Sequence, residues 1–445
     1  MSQQRSGLSF PPCHILDVCG FRVLFDCPMD LSALTVFAPI PVDSCTMLDV
    51  EASACSALKY LDSESFENKR RKIGAPLDAS SLIHAEPYYK TVKSLHLWNS
   101  SFIDIVLISS PMGMLGLPFL TRAKGFSAKI CATEATARIG QLMMEDLVAM
   151  NMELRQFYGP DESGFPRWMK WDELEMLPLA LKEIVVGKDG SELSGWMPLY
   201  RMFLSAADVK DCMQKVQALK YGEEACYNGT LIIKAFSSGL DIGACNWTMN
   251  SPRGNSAYLS GSVFVSAMAM DFDYPALQGS DMIFYSDFSS WNVSHNVESD
   301  NSPSPPTSDI SSFSDTDDNW ETIAQSLLNN DEASEEMEKL AFVCSCAIDS
   351  VKAGGSVLIP IGRIGIILQL LEQISFSLES SNLKVPIYIV SSVAEELLAF
   401  SNIIPEWLCK QRQEKLYSGE PLFAHGALIK EKKIHLFPEF IRSNC

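Results

Sequence analysis

The sequence lacks the short signatures of most hydrolases. None of its 13 cysteines forms a Cys-x-x-Cys pair, and no His-x-His or His-Glu-x-x-His occurs. Neither Gly-x-Ser-x-Gly nor Gly-x-x-x-x-Gly-Lys-Ser/Thr is present. These absences exclude the usual zinc, serine-nucleophile and phosphate-loop motifs. Histidine itself is scarce, with six residues at positions 14, 84, 96, 295, 425 and 435. Positive charge is scarce too. Lys and Arg number 35 against 55 Asp and Glu, a net charge of -20. That balance argues against a broadly basic face for nucleic acid and in favour of protein partners. No apolar run reaches the roughly 18 residues that cross a bilayer. The N-terminal Met-Ser-Gln-Gln-Arg has no apolar signal core. No membrane span or secretory leader is therefore expected. The odd, scattered cysteines fit reduced thiols of cytosol or nucleus. The Asn-x-Ser/Thr matches at Asn99, Asn228, Asn246 and Asn292 are expected to stay unmodified.

What is present is a chain of 445 residues, 47% hydrophobic, long enough for two or three cores. Residues 13–26 alternate apolar and polar on either side of Cys19-Gly20, which predicts a hairpin ending at Asp26. Asp26 has two readings: a cap for the following Cys-Pro-Met-Asp turn, or a carboxylate that orients a metal ligand. Residues 43–93 lose periodicity and read as a surface insertion. Within it Lys69, Arg70, Arg71 and Lys72 form a basic cluster, either a nuclear-import signal or a solvated turn. Ile105–Ile108 reads as a buried strand and Leu115–Leu120 as an apolar run. A strand at Ala128–Ala132 precedes a helix whose apolar stripe is Ile139, Leu142, Met143 and Leu147. Ser205-Ala-Ala-Asp208 has the form of a capping box and opens a helix expected to reach about Leu219. Four short strands follow between 223 and 260, and Asp281–Tyr285 reads as a further buried strand.

Residues 286–335 are rich in Ser, Asp, Asn and Pro, the composition of an acidic linker or disordered loop. A helix over about 333–352 then stops at Gly354-Gly355. Val357–Pro360 reads as a buried strand, Ile364–Leu378 as a helix and Val385–Val390 as a strand. This alternation suggests a second domain with a parallel sheet. The glycines at 354, 355, 362 and 365 lack the spacing of a nucleotide fingerprint and read as a helix cap and a strand-to-helix turn.

The order of these features resembles the metallo-β-lactamase and β-CASP family of RNA- and DNA-processing nucleases. The landmarks are the strand pair ending at Asp26, the strand from Asp104 to Ile108 leading to Leu117-Pro118, and the helix after Ala132-Thr133-Glu134. To these are added Ala207-Asp-Val through Leu219-Lys-Tyr-Gly222 and the Gly-Gly-Ser-Val-Leu-Ile-Pro run at 354–360. The resemblance implies an α/β fold. An αββα metallo-β-lactamase-like sandwich would cover about 1–290, and an acidic Ser/Pro-rich disordered linker 291–335. An incomplete parallel-sheet β-CASP domain would cover 336–445.

Active members of that family hold two zinc ions, which activate a water for phosphodiester attack. The resemblance places their ligand loop on Ser109 to Gly116, so that Ser109, Ser110 and Gly113 stand among the ligand positions. It places a later His on Leu240 and a bridging Asp on Ser262. Asp26 alone persists. The implied site holds no zinc and no other cofactor. The family's later His ligands and the segment returning to the first domain would fall beyond residue 445, so a shortened form is expected. Two branches of the family have such degenerate sites, and the local text at 133–148, 259–262 and 405–425 resembles one of them. The implied role is a non-catalytic partner of a homologous active nuclease in an RNA 3′-end-processing complex. A rival is a hydrolase with an unusual site drawn from Asp26, Asp104, Asp241 and Asp287.

Overall fold

The computed structural model describes residues 12–31, 40–43, 81–84, 88–92, 95, 99–158, 197–198, 204–263, 266–285 and 332–439. The chain opens with the predicted hairpin, β1 (His14–Val18) and β2 (Phe21–Phe25). Its two turn residues both have positive φ, 58° at Cys19 and 87° at Gly20, the backbone that matches the twist of a two-residue hairpin. The Gly20 N–H donates to Asp17 Oδ1 at 2.8 Å and fixes the turn. Short strands lie before and within the region read as an insertion. Met29–Asp30 (β3), Ile40–Asp43 (β4), Ser81–His84 (β5) and Tyr88–Thr91 (β6) pair β3 with β6 and β4 with β5. Lys69 to Lys72 and the 291–331 part of the expected linker lie outside the described residues.

Ile105–Ile108 (β7) is buried at every position. It runs parallel to both β2 and Lys129–Thr133 (β8), and a parallel strand covered on both faces reads as a continuous apolar run. Between them Leu117–Thr121 forms a short helix, α1, with Pro118 in its first turn where a missing N–H costs nothing. Glu134–Tyr158 is the long helix α2, and it buries Ile139, Leu142 and Leu147 of its predicted stripe. Met197–Pro198 (β9) pairs with β6.

The capping box at Ser205 and Asp208 forms with both of its hydrogen bonds, but its helix, α3, ends at Met213. Val216–Leu219, expected as helix, is the strand β10. It pairs in parallel with β8 and completes a sheet of order β1-β2-β7-β8-β10. A free sheet edge overrides the local helical preference there.

Glu224–Tyr227 (β11), Leu231–Ser237 (β12), Cys245–Ser251 (β13), Gly254–Leu259 (β14) and Met282–Tyr285 (β15) form a second five-stranded sheet in chain order. β15 is a strand as expected but not a buried one. It lies on the edge, with Met282 54% and Ile283 49% exposed.

The two sheets face each other. Val23, Phe25, Ile105 and Leu107 of one meet Ile233, Ala235, Trp247, Met249 and Tyr258 of the other. Phe25 stacks on Tyr258 with ring centroids 3.8 Å apart. The alternate residues Leu24, Val106, Ile108 and Ile130 point to the opposite face and pack with Met144, Leu147, Val148, Leu154, Val209 and Cys212 of the helices. Period-two alternation thus supplies both cores from the same strands. Helix, sheet and sheet are thus stacked as three layers of an α/β sandwich, the described part of the αββα order expected from the sequence.

The second unit begins with α4 (Glu332–Lys352) and α5 (Ile364–Ser380). The run at 357–360 between them is not a strand. Leu358 is 84% exposed, while Ile359 and Ile361 settle against a small cluster on α4 and α5. Ile387–Val390 (β16) and Ile434–Phe437 (β17) form a two-stranded parallel sheet, with α6 (Ala394–Ser401), α7 (Lys410–Ser418) and α8 (His425–Lys430) in the crossover. The β-α-β alternation read from 357 to 390 is therefore not formed, because its first strand is missing, and the parallel pair comes instead from a later segment, 434–437. No helix among the described residues is long and apolar enough to cross a membrane.

Candidate functional site

The candidate cleft lies where the strands of the sandwich end. Asp26 follows β2 with φ 58° and is fully buried. Its Oδ1 accepts the Ser109 backbone N–H at 2.7 Å, across the β2–β7 boundary. Its Oδ2 is buried without a hydrogen-bond partner. Burial pushes the Asp26 carboxyl up to about 7, and the Ser109 N–H pulls in the opposite direction. Asp26 holds the next loop by its backbone.

That loop is clamped by glycine. A Cβ on Gly113 would lie 2.1 Å from Asp26 Oδ1, and one on Gly116 would lie 2.6 Å from the Cys27 carbonyl oxygen. The Cys27 N–H donates to the Gly113 carbonyl at 2.6 Å, and the Gly116 N–H donates back to Cys27 at 2.7 Å. Ser110 spends its hydroxyl on the Gly113 N–H at 3.2 Å, capping the single helical turn at Pro111–Met114. Ser109 accepts the Cys245 N–H on its carbonyl at 2.8 Å, which brings β13 beside it.

The second loop, 238–244, joins β12 to β13. Gly239 has φ 71°, and a Cβ there would meet the Val263 carbonyl oxygen at 1.8 Å. Asn246, fully buried, donates from Nδ2 to Ser262 Oγ at 2.8 Å and accepts the Ser260 N–H at 3.1 Å. The structure thus gathers Ser109, Ser110 and Gly113 around Asp26, and sets Ser262 on the neighbouring strand end beside Asn246. Leu240 offers an aliphatic side chain. Asp104 stands apart, accepting the Arg22 N–H at 2.8 Å near an exposed strand start. Asp241 is buried and faces the second unit. Asp287 lies outside the described residues.

The chemistry of these side chains does not fit a zinc pair. The gathered groups are hydroxyls, an amide, a glycine and an aliphatic chain, with one carboxylate already holding a loop. Cysteines do surround Asp26, but as thiols. Burial, helped by the Asp26 charge, pushes Cys13 up to about 12. Burial also holds Cys27 and Cys245 well above the ordinary thiol range, with Asp26 adding to both. No three His, Cys, Asp or Glu side chains among the described residues cluster so as to hold a metal ion.

Sequence reasoning missed Asn246 and the thiols. Asn246 appeared only as a glycosylation match, and its complete burial closes it to that chemistry. The signal available was its place on the inner end of an alternating strand.

Comparison with known proteins gives one consistent answer. No protein-family model matches the chain. The Integrator complex subunit 9 homolog of Nematostella vectensis is 28% identical over 428 residues, which is 96% of this chain and 56% of that protein. Integrator complex subunit 9 of Homo sapiens is 27% identical over 434 residues, 97% of this chain and 56% of that protein. The homolog from Dictyostelium discoideum is 25% identical over 460 residues. The chain spans a little over half the length of these relatives. Among solved structures, a metallo-β-lactamase from Cronobacter sakazakii aligns with 58% of this chain and 63% of its own at 12% identity and a TM-score of 0.21, too slight a likeness to carry an argument.

Proposed function

The chain is similar along almost its whole length to Integrator complex subunit 9, and we propose from this that it serves as a non-catalytic scaffold subunit of that complex. In this reading it works in the nucleus. It pairs with a homologous active endonuclease, subunit 11 of the complex, in 3′-end processing of small nuclear RNA, and meets RNA only through that partner. The observation that carries the reading is the similarity over 96% of the chain, which spans sandwich and second unit together. The residue chemistry of the cleft supports it. In this reading Ser109, Ser110, Gly113, Leu240 and Ser262 stand where the family's metal ligands would stand, and the Ser110 and Ser262 hydroxyls are taken up by Gly113 and Asn246 within the fold. The domain division at about 290 and 336 and the import signal at Lys69, Arg70, Arg71 and Lys72 belong to the same reading.

The test is recovery of partners from nuclear extract by the tagged 445-residue chain, read by mass spectrometry. Integrator subunits with the nuclease among them are the expected result. Recovery of the cleavage and polyadenylation factor would transfer the chain to that sister assembly, as its inactive 100 kDa-type subunit. Recovery of neither complex, while a full-length relative recovers Integrator, would overturn the reading for this chain.

A further inference from the structure

We infer that residues 361–365 form a strap that closes the cleft at the loop end of the sandwich, and that Asp241 is the buckle that fastens it. The strap touches both cleft loops. A Cβ on Gly362 would lie 3.2 Å from the Met112 sulfur, in the loop that Asp26 holds. Arg363 reaches the other loop, donating from Nη2 to the Leu240 carbonyl, with its Nε 3.8 Å from Asp241 Oδ2. The two loops are thus bridged by Gly362 and Arg363, neighbouring residues of the second unit.

Asp241 makes the bridge firm because it completes a helix that is not its own. Helix α5 starts at Ile364, and its own flanking residue, Arg363, makes no side-chain cap. Asp241 Oδ1 supplies the missing acceptor from across the unit boundary, taking the Gly365 N–H at 2.9 Å while also taking the Ile242 N–H at 2.8 Å. A carboxylate at that point also faces the positive end of the helix dipole. A Cβ at position 365 would stand 2.7 Å from the same oxygen, so a larger residue there would displace the Asp241 carboxyl. Burial raises the Asp241 carboxyl and Arg363 is the chief group lowering it. Arg363 is the charged group beside Asp241 that offsets part of its burial.

A polynucleotide strand threading between the 109–116 loop and the 238–242 loop would meet this strap. The cleft is shut by a contact within the chain, independently of which residues line it and of which complex the chain serves.

Hydrogen exchange of the intact 445-residue chain tests the strap. Arg363→Ala is expected to speed exchange of the Gly365 and Ile242 amides by about tenfold or more, while amides of the β12–β13 pair keep their rates. Arg363→Lys, which keeps the charge but loses the fork to the Leu240 carbonyl, is expected to show a smaller rise at the same amides. It decides the matter if the alanine variant fails to fold. Unchanged exchange at residues 240–242 and 362–367 in the folded variant would overturn the strap and leave the scaffold proposal standing.

Discussion

The sandwich and the unit that follows it handle apolar surface differently. In the second unit Phe342, Leu358, Phe376, Ile403 and Tyr417 are each at least 70% exposed. Among the described large hydrophobic residues of the sandwich, none exceeds the 62% of Tyr274. The cores differ in the same sense. The sandwich closes two clusters from its own strands and helices. The main cluster of the second unit, built on Ile364, Leu368, Trp407, Leu408 and Leu428, is completed by Ala135, Ile139, Ile242 and Met268 of the sandwich. Trp407 packs edge-to-face on Tyr221 at 4.5 Å, and backbone bonds join Met270 to Trp407 and Cys409 to Met268 at 3.1 and 3.0 Å. The first region folds around itself. The second folds onto the first and leaves more of its large apolar side chains exposed.

Separating the two regions is the strongest way to break this contrast. A fragment of residues 1–290 is expected to unfold cooperatively in denaturant, and a fragment of residues 332–445 to show no cooperative transition. A cooperative second fragment would contradict the dependence. Within the intact chain, Trp247→Ala in the sheet-to-sheet core is expected to cost about 3–5 kcal/mol by denaturant unfolding. Trp407→Ala should instead split the curve, loosening the second unit ahead of the sandwich. A third comparison turns on pH. The folded Asp26 carboxyl sits at about 7 against an ordinary 3.8. The stability this shift contributes is complete below about 3.8, declines as pH rises, and is lost above about 7. Asp26→Asn, which retains an acceptor for Ser109, should remove that slope, so the variant gains on the parent between pH 5 and 8. Equal slopes in the two would show that the buried carboxyl is not responsible. The smallest effect belongs to Arg138 and Glu396, whose 3.0 Å ion pair ties α2 to α6 at an exposed rim. Glu396→Gln is expected to cost under about 0.5 kcal/mol and to weaken further in salt.

The contrast also explains what was legible in the sequence. Hairpin, central strand and long helix were readable because alternation at Leu24–Phe25, burial at Ile105–Ile108 and the stripe at Ile139, Leu142 and Leu147 are local patterns that tertiary packing then reinforces. Val216–Leu219 misled because its strand character comes from the edge of β8 and not from its own residues. Val357–Pro360 misled in the opposite sense. An apolar run becomes a strand only beside another strand, and in the described structure none pairs with it. At the cleft, the residue types at 109, 110, 113, 240 and 262 were visible in advance, whereas Asn246 beneath Ser262 and Asp241 over the start of α5 join positions 16 and 124 residues apart. Nothing in local spacing announces such a pair.

The central proposal is that this site does no chemistry. Its most direct test is the zinc content of the purified 445-residue chain, by mass spectrometry, together with its action on single-stranded RNA in added zinc. The account predicts substoichiometric zinc and no cleavage. Stoichiometric zinc with metal-dependent cleavage, lost on Asp26→Asn, would contradict it.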